Sequence, residues 1–470
     1  MAAPDLAIIG SGPGGYRAAV LAALRGLKVA IIEKNTWGGT CLNRGCVPKK
    51  TWYHSACIMA DAAGYPERGI GGTLSADFAQ AWRPQRQVVG TVRDSYADYL
   101  GRLGIRRLQG HASFEGSRRL RVGDVPVEAR QIIIATGSQP WLPAPLQRIP
   151  GRILTTDDLF DTPPPPGRRV AVLGSGAVGT EMAFILSRLG LEVVWLAGRE
   201  PLSSSAFSTP ARLALREALV AAGIAPRLQS RIAAADAADH GVTLTLADGD
   251  RIQVDWVLAG TGRRPCTEGL ALERAGISCD AQGHVLVDGH NRAAPGVYAI
   301  GDVANPGMSA NHALADATVA VSDILDPGSS RRRDERVPQA VYSALELARL
   351  GLNEDAAEAQ GLEPAAGFTS LDLNPAALAA GERGGFLRLV ADLDSGHVLG
   401  AELAGRGAGE LISLLGLEFG TPWALSRLAS AAYNHPARAE EILNAVETLA
   451  SRWGMAEHVF PAPAAGAAGE

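Results

Sequence analysis

The stretch "LAIIGSGPGGYRAAVLAALRGLKVAIIE", residues 6–33, places a glycine-rich turn and an alanine-rich stretch between two short apolar segments. Residues 5–9 and 28–33 have the length and composition of buried strands, and the residues between them those of a helix. This order of elements predicts a β-α-β unit.

The turn contains Gly10, Gly12 and Gly15 in the pattern G-x-G-x-x-G. The first glycine permits a tight turn, the second lets the backbone approach a pyrophosphate, and the third lets the helix pack close to the strand. Glu33 ends the second strand, where a carboxylate accepts hydrogen bonds from ribose hydroxyls. The unit therefore predicts a dinucleotide-binding site.

Residues 169–197 repeat this pattern, with a second glycine loop formed by Gly174, Gly176 and Gly179. Ala197 stands where an acidic residue would favour NAD, and Arg199 follows two residues later. A missing acid with a nearby arginine suits the 2′-phosphate of NADP, whereas Glu200 and the third glycine are compatible with NAD. Arg199 is equally consistent with a solvated loop cation, so the coenzyme stays open between NAD and NADP.

Length and composition limit the remaining choices. A chain of 470 residues exceeds one hydrophobic core, and 47% apolar residues indicate a globular protein. A net charge of −5 gives no electrostatic reason to expect nucleic acid or an anionic membrane as a partner. No apolar run approaches the roughly 20 residues of a membrane helix, and the amino terminus resembles a strand rather than a signal peptide, so we expect a cytoplasmic protein.

Changes of composition suggest where domains meet. The proline run at 161–169 predicts an extended connector, and the charged segment 329–338 predicts a second boundary. Hairpin-like strands and amphipathic helices follow, which indicates a third, α+β domain. The small residues at the end of the chain predict a frayed tail over 459–470.

Cys41 and Cys46 lie five positions apart in "GGTCLNRGCVPKK", residues 38–50. A zinc site is disfavoured because four residues separate the two cysteines, instead of the usual two, and no second pair of cysteines or histidines lies nearby in the sequence. We therefore expect no metal. Inert buried thiols are the alternative to a redox pair. A disulfide would need a distorted helix, because five helical residues rise about 7.5 Å and disulfide Cα atoms lie within about 6.8 Å; Gly45 is placed to allow this.

Three further segments accompany the glycine loops and the cysteine pair, namely "ATGS" (135–138), "GVYAIGDV" (296–303) and "HPARAEE" (435–441). Together, all these segments resemble the flavoprotein disulfide reductases, the family of dihydrolipoamide dehydrogenase and glutathione reductase. The likeness covers nearly the whole chain. It implies an α/β fold with two Rossmann-like domains, for FAD and NAD(P), and a carboxy-terminal α+β dimerisation domain. The implied boundaries are 1–150 and 268–330 for a discontinuous FAD domain, 151–267 for the NAD(P) domain and 337–458 for the dimerisation domain.

The resemblance also assigns roles to residues. It implies that FAD is bound by the first glycine loop and Glu33, by Thr136 and Gly137 of "ATGS", and by Asp302. Cys46 matches the thiol nearest the flavin, and Cys41 matches the thiol that exchanges with substrate. Lys50 matches a lysine beside the flavin, and Glu181 its ion-pair partner.

His435 and Glu440 match the pattern in which a histidine of one subunit of a homodimer serves the dithiol of the other. Thiol–disulfide exchange needs a base near ambient pH, and a carboxylate on the second imidazole nitrogen fixes the tautomer. We therefore expect an enzyme that exchanges electrons between a nicotinamide and a dithiol or disulfide substrate.

The substrate is less clear from the sequence. Tyr433 stands where lipoamide dehydrogenases have a further histidine, Ala177 replaces a tyrosine often found over the nicotinamide pocket, and Cys266 replaces an asparagine. A divergent dihydrolipoamide dehydrogenase, with its lipoyl group on a separate carrier protein, is the first hypothesis. A glutathione-type NADPH reductase is the second, and a catalytically silent flavin-bearing assembly protein is the third.

Overall fold

A computed structural model of the chain describes residues 3–146, 149–332, 336–421 and 424–461. Part of the predicted charged boundary, 333–335, and most of the predicted tail, 462–470, lie outside the described residues.

The elements of the first part of the chain are β1 (Leu6–Ile9), α1 (Pro13–Leu24), β2 (Val29–Glu33), α2 (Gly39–Arg44), α3 (Cys46–Asp61), α4 (Phe78–Arg102), β3 (Arg106–Gln109), β4 (Ala112–Gly116), β5 (Arg119–Val122), β6 (Val125–Glu128), β7 (Gln131–Ile134) and β8 (Ser138–Pro140). The middle part contains β9 (Ile153–Leu154), α5 (Thr156–Asp161), β10 (Arg169–Leu173), α6 (Ala177–Arg188), β11 (Glu192–Leu196), α7 (Thr209–Ala221), β12 (Ile232–Ala238), β13 (Gly241–Leu246), β14 (Arg251–Val254), β15 (Trp256–Ala259), β16 (Arg263–Pro265), β17 (Arg292–Ala294), β18 (Val297–Ala299) and α8 (Ala310–Leu325). The last part contains β19 (Gln339–Val341), β20 (Leu347–Gly351), α9 (Glu354–Glu358), β21 (Pro364–Ser370), α10 (Pro375–Ala380), β22 (Phe386–Asp392), β23 (Val398–Ala404), α11 (Ala408–Glu418), α12 (Ala424–Ser430), α13 (Glu440–Trp453) and α14 (Ala456–Val459).

The first glycine loop belongs to a six-stranded sheet in the order β17-β18-β7-β1-β2-β3. β1 lies in its interior, parallel to both β2 and β7, with Leu6 opposite Val29 and Gln131. All four residues of β1 are buried, as expected for a parallel strand covered on both faces. This sheet combines strands of the first part of the chain with β17 and β18, which follow the four-stranded sheet in sequence, because β18 pairs with β7.

The second glycine loop belongs to a four-stranded parallel sheet in the order β11-β10-β15-β9. Its central strand β10 has four buried apolar residues and leads into the loop, and α6 returns the chain to β11. Both predicted β-α-β units are confirmed.

The carboxy-terminal part has a five-stranded antiparallel sheet in the order β19-β20-β23-β22-β21. α11 and α13 pack their apolar faces against this sheet, with Ile412, Ala445 and Leu449 in the core. This α+β region agrees with the fold class predicted from the sequence.

One apolar core joins the three parts of the chain. Trp52 of α3, Trp195 of β11 and Leu347 of β20 are buried in the same cluster. The carboxyl ends of the central strands of both parallel sheets therefore open toward a common junction, where ligands of α/β proteins bind. Along the described parts of the chain, no helix combines the length and apolar character needed to cross a lipid bilayer.

Candidate active site

Cys41 and Cys46 form a disulfide, with their Cα atoms 4.8 Å apart. Cys41 lies in α2, which ends at Arg44, and Cys46 begins α3. Gly45 between the two helices adopts φ −143° and ψ −107°, outside the helical region. The predicted interruption of the helix is confirmed, and the two inert thiols weighed as an alternative are excluded.

The disulfide faces a cavity of about 1160 Å³ at the junction of the three parts. Most of the predicted cofactor residues line this cavity, namely Gly10, Gly12, Glu33, Lys50, Thr136, Gly137, Asp302 and Gly176, as do Glu181 and both cysteines. The predicted cofactor residues that are not part of its lining are Gly15, Gly174, Gly179 and Arg199. The cavity runs from the first glycine loop, past the disulfide, to the second loop. It is large enough to hold a dinucleotide with a second ligand against it.

The first glycine loop depends on the absence of side chains at two of its three positions. Gly10 has φ +108°, and a Cβ there would lie 2.3 Å from the carbonyl oxygen of Ala135. A Cβ on Gly15 would lie 2.0 Å from the carbonyl oxygen of Gly10. Gly12 instead has space, and no side chain caps the following helix α1. The free N–H groups of this helix end suit a pyrophosphate, so the loop fits FAD.

Glu33 is only 7% exposed and shapes the first loop. Its Oε2 accepts hydrogen bonds from the backbone N–H and hydroxyl of Ser11, at 3.0 and 2.7 Å. Its Oε1 accepts one from the backbone N–H of Asn35 at 2.8 Å. Among the described residues, Oε1 accepts only this one bond and has a lone pair left for a ribose hydroxyl, so the predicted role is compatible with these contacts.

Thr136, Gly137 and Asp302 lie beside β8 and β16. Asp302 Oδ2 accepts a hydrogen bond from Ser138 Oγ at 2.6 Å, and Thr136 Oγ1 donates one to the carbonyl of Cys266 at 2.7 Å. Burial raises the pKa of the Cys266 thiol, which keeps it protonated. These contacts fix the loop after β7 against the turn that carries Asp302.

The second glycine loop has the same construction. Gly174 has φ +122°, and a Cβ there would lie 2.3 Å from the carbonyl oxygen of Gly260. A Cβ on Gly179 would lie 2.2 Å from the carbonyl oxygen of Gly174, whereas Gly176 has open space. α6 also begins without a side-chain cap or an acidic residue. By contrast, Ser208 and Ser309 cap α7 and α8, so the uncapped loop helix fits a second dinucleotide.

The residues that follow β11 are those expected to distinguish NAD from NADP. Ala197 is buried, while Arg199 is exposed on the following bend. Glu200 pairs with Arg216, whose Nη1 lies 3.2 Å from Glu200 Oε1. Glu200 therefore has a cationic partner, whereas Arg199 has no ion-pair partner among the residues that the structure describes.

The predicted ion pair between Lys50 and Glu181 is wrong, because the structure pairs Glu181 with Lys49. Lys49 Nζ donates to Glu181 Oε1 at 2.8 Å, and the backbone N–H of Tyr342 donates to the same oxygen at 2.9 Å. Glu181 is buried, so this contact links α3 to α6 and to the loop after β19 inside the cavity.

Lys50 lies against aromatic rings instead. Its Nζ is 3.5 Å from the ring centre of Tyr342 and 5.1 Å from that of Tyr53. Burial lowers the pKa of Lys50. Adjacent residues of a helix point about 100° apart, so only one of two neighbouring lysines meets Glu181. The sequence contains two adjacent lysines, Lys49 and Lys50, but does not show which of them faces Glu181. The direction of each side chain depends on how α3 is rotated, and this depends on where Gly45 breaks the helix.

His435 and Glu440 form a hydrogen-bonded pair at the surface. His435 Nδ1 lies 2.7 Å from Glu440 Oε1, and Glu440 Oε2 accepts a hydrogen bond from the backbone N–H of Ala437 at 2.8 Å. These two contacts, the backbone one first, hold the pKa of Glu440 below its usual value. The His435 side chain is 73% exposed and is not among the residues that line the disulfide cavity.

The family comparison covers most of the chain. Residues 4–320 match the model described as pyridine nucleotide-disulphide oxidoreductase, and residues 337–446 match the dimerisation domain of the same enzymes. Enzymes of this description use FAD with NAD or NADP, so the predicted cofactors are confirmed to that level. The dimerisation domain supports the predicted homodimer.

Individual relatives agree with this assignment. The chain is 34% identical to dihydrolipoyl dehydrogenase 3 of Pseudomonas aeruginosa, over 95% of this chain and 98% of that one. It is 32% identical to a glutathione reductase of Burkholderia cepacia, over 93% and 97%. The crystal structure of LpdA from Mycobacterium tuberculosis superposes with a TM-score of 0.88 at 25% identity, over 94% and 99%. The chain therefore belongs to the pyridine nucleotide-disulphide oxidoreductase family.

Proposed function

We propose that this protein is a dihydrolipoamide dehydrogenase that passes electrons from a dithiol, through Cys41 and Cys46 and bound FAD, to a nicotinamide coenzyme. The carrying observation is that the Cys41–Cys46 disulfide shares one cavity with both uncapped glycine loops. The relatives of Pseudomonas aeruginosa and Thermus scotoductus, 34% and 35% identical, are both named dihydrolipoyl dehydrogenase.

The cysteines carry the first half of the reaction. A substrate thiolate attacks Sγ of Cys41, the Cys41–Cys46 bond breaks, and Cys46 leaves as a thiolate. The second substrate thiolate then displaces Cys41, which releases an oxidised cyclic disulfide and leaves two electrons on the cysteine pair. Bound FAD supplies the conversion of this electron pair into a hydride for the nicotinamide.

His435 moves the protons of this exchange. Its imidazole takes a proton from the substrate thiol, and Glu440 on Nδ1 leaves Nε2 as the reacting nitrogen. Because His435 is exposed on its own chain, we infer that it serves the disulfide of the partner subunit in the homodimer. Glu181 and Lys49 hold the junction of α3 and α6, where the nicotinamide would approach the flavin.

The substrate is inferred to be a lipoyl group on a separate carrier protein. A second candidate is a glutathione-type disulfide reductase, which is favoured by the 32% identity to a glutathione reductase.

For the coenzyme, the exposed side chain of Arg199 supports NADP, because it could bind the 2′-phosphate. If Arg199 is only a solvated loop cation, NAD would be the coenzyme. We place the enzyme in the cytoplasm, because Cys57, Cys266 and Cys279 are unpaired and the single disulfide belongs to the site.

The test is a set of steady-state assays with the purified homodimer. Dihydrolipoamide with NAD or NADP, and oxidised glutathione with NADH or NADPH, are compared by kcat/KM. The proposal predicts the highest value for dihydrolipoamide. A glutathione value at least about tenfold higher would select the second candidate.

Two further measurements complete this test. Arg199→Ala should lower kcat/KM with NADP and leave NAD unaffected; an equal effect on both coenzymes would remove Arg199 from its role. A protein that binds FAD but turns over neither substrate would instead be the assembly protein considered from the sequence.

A further inference from the structure

Helix α2 carries Cys41 and is held differently at its two ends. At the amino-terminal end, the backbone N–H of Gly38 donates to Ser11 Oγ at 3.0 Å. Gly39 packs on the first glycine loop, since a Cβ there would lie 2.5 Å from Gly12 Cα. Cys41, which forms the disulfide, is the third of the six residues of α2, and Arg44 is the last.

Arg44 connects this second end to helix α5. Its Nε lies 2.6 Å from Asp161 Oδ2, and its Nη1 lies 3.6 Å from Asp157 Oδ2. The Arg44 side chain is 25% exposed, so both ion pairs are partly shielded from water. Arg44 occupies the position between the two cysteines, directly before the break at Gly45.

Helix α5 is as short as α2 but is fixed by its cap and by buried side chains. Thr155 and Asp158 form a capping box at its start, and Leu159 and Phe160 are buried. Asp157 also lies 3.9 Å from Arg263, which donates to Ser138 Oγ at 2.7 Å.

The remaining polar contacts of α2 do not replace its contact with α5. Asn43 donates to the carbonyls of Trp37 and Gly39, which belong to the same segment of chain. A helix of six residues is too short to be stable alone, because nucleation is costly. When the disulfide opens, Cys41 loses its covalent link to Cys46, and α2 stays joined to α3 only through the backbone of Gly45.

We propose that Arg44 is a positioning residue that keeps α2, and with it Cys41, next to Cys46 while the disulfide is open. This inference rests on the proposed function in one respect, that the disulfide opens and closes in turnover. The contact of Arg44 with α5 limits how far Cys41 can move from Cys46 when both are thiols. This raises the effective concentration of one thiol at the other and favours formation of the disulfide.

A purely electrostatic role of Arg44 would have the opposite sign. A cation near Cys46 stabilises a thiolate, so its removal would make the disulfide harder to reduce. Loss of the positioning contact instead makes the disulfide easier to reduce, because the open segment gains conformational freedom.

The experiment equilibrates the purified full-length holoenzyme with mixtures of reduced and oxidised dithiothreitol. Alkylation of free thiols followed by mass measurement gives the fraction of reduced Cys41–Cys46. Arg44→Gln should raise the equilibrium constant for reduction about three- to tenfold, and tenfold corresponds to about 30 mV for two electrons. Arg44→Lys, which keeps the charge but loses the planar geometry, should give a smaller increase.

Arg169→Gln is the matched control, because Arg169 pairs with Glu192 on exposed surface away from the disulfide. It should leave the equilibrium unchanged. If Arg44→Gln does not fold, Asp161→Asn removes the same contact from the other side and should shift the equilibrium in the same direction.

An unchanged or lowered equilibrium constant in the substituted Arg44 or Asp161 proteins would overturn the positioning role. A wild-type disulfide that dithiothreitol cannot reduce, or that reduces without any coenzyme-dependent turnover, would instead contradict the proposed function. The two failures are therefore distinguishable.

Discussion

The Cys41–Cys46 disulfide and the His435–Glu440 pair lie in opposite settings. The disulfide lines the large cavity, to which all three parts of its own chain contribute; Cys41 is half-buried and Cys46 is exposed. The histidine is fixed by Glu440 at 2.7 Å, yet 73% of its side chain is exposed. One chain thus brings the disulfide and both glycine loops to one cavity, while the histidine proposed as the base is oriented by Glu440 and faces outward.

Under the proposed function, this difference would give the dimerisation domain a part in the reaction. An oriented histidine that faces away from the disulfide of its own chain fits a site that the other subunit completes. The following predictions test each half separately.

The largest effect is expected for the disulfide half. Cys46→Ser removes the bond that accepts electrons, so dithiol turnover should fall to background while FAD remains bound. Cys57→Ser is the matched control, because Cys57 lies on the same helix α3 and is unpaired. Steady-state rates and the absorption spectrum measure both. Substantial turnover by the Cys46 variant would show that electrons bypass the pair.

The histidine half should show the next largest effect. His435→Gln removes the base, and dithiol turnover should fall about 10²- to 10⁴-fold, the range for a general acid–base group. Reduction of the disulfide by dithiothreitol should persist, because the cavity is intact. His397→Gln, an exposed histidine of the same domain, is the control. Equal losses in the two variants would point to a general structural effect.

The corrected ion pair gives a smaller, local effect on the cofactor side. Lys49→Gln leaves buried Glu181 without its cation, and flavin reduction by the coenzyme should slow about tenfold, or 1.4 kcal/mol. Lys50→Gln should change this rate less, since Lys50 contacts Tyr342 and Tyr53 rather than Glu181. Stopped-flow absorbance separates the two variants. A larger effect of the Lys50 change would restore the sequence-based assignment.

Glu440→Gln should have the smallest effect, because the amide can still accept a hydrogen bond from His435. Turnover should fall less than about tenfold, through a less basic imidazole. In the wild type, the lowered pKa of Glu440 keeps the carboxylate ionised as pH falls to the ordinary glutamate range of about 4.3. Its contribution is therefore lost only below that range. An inflection of the pH–rate profile that is assigned to Glu440 and lies above about pH 4.3 would contradict this prediction.

Much of this arrangement was accessible from the sequence. The glycine loops could be predicted because residues close together in the sequence determine them, and the structure shows no room for a Cβ at Gly10 and Gly15. The break at Gly45 followed from disulfide geometry alone. The choice between Lys49 and Lys50, however, depends on the rotation of α3 against α6, which no local pattern determines. Arg44 gave no signal either, because its partners on α5 lie more than a hundred residues away in the chain.

The central claim is that each working site combines the cysteine pair of one subunit with the histidine of the other. Cys46→Ser and His435→Gln, each inactive alone, can be co-expressed with different tags and the mixed dimers purified. Such a dimer has one site with both intact halves, so it should recover about half of the wild-type turnover. Mixed dimers as inactive as their parents would contradict the account, because the histidine would then act on its own chain.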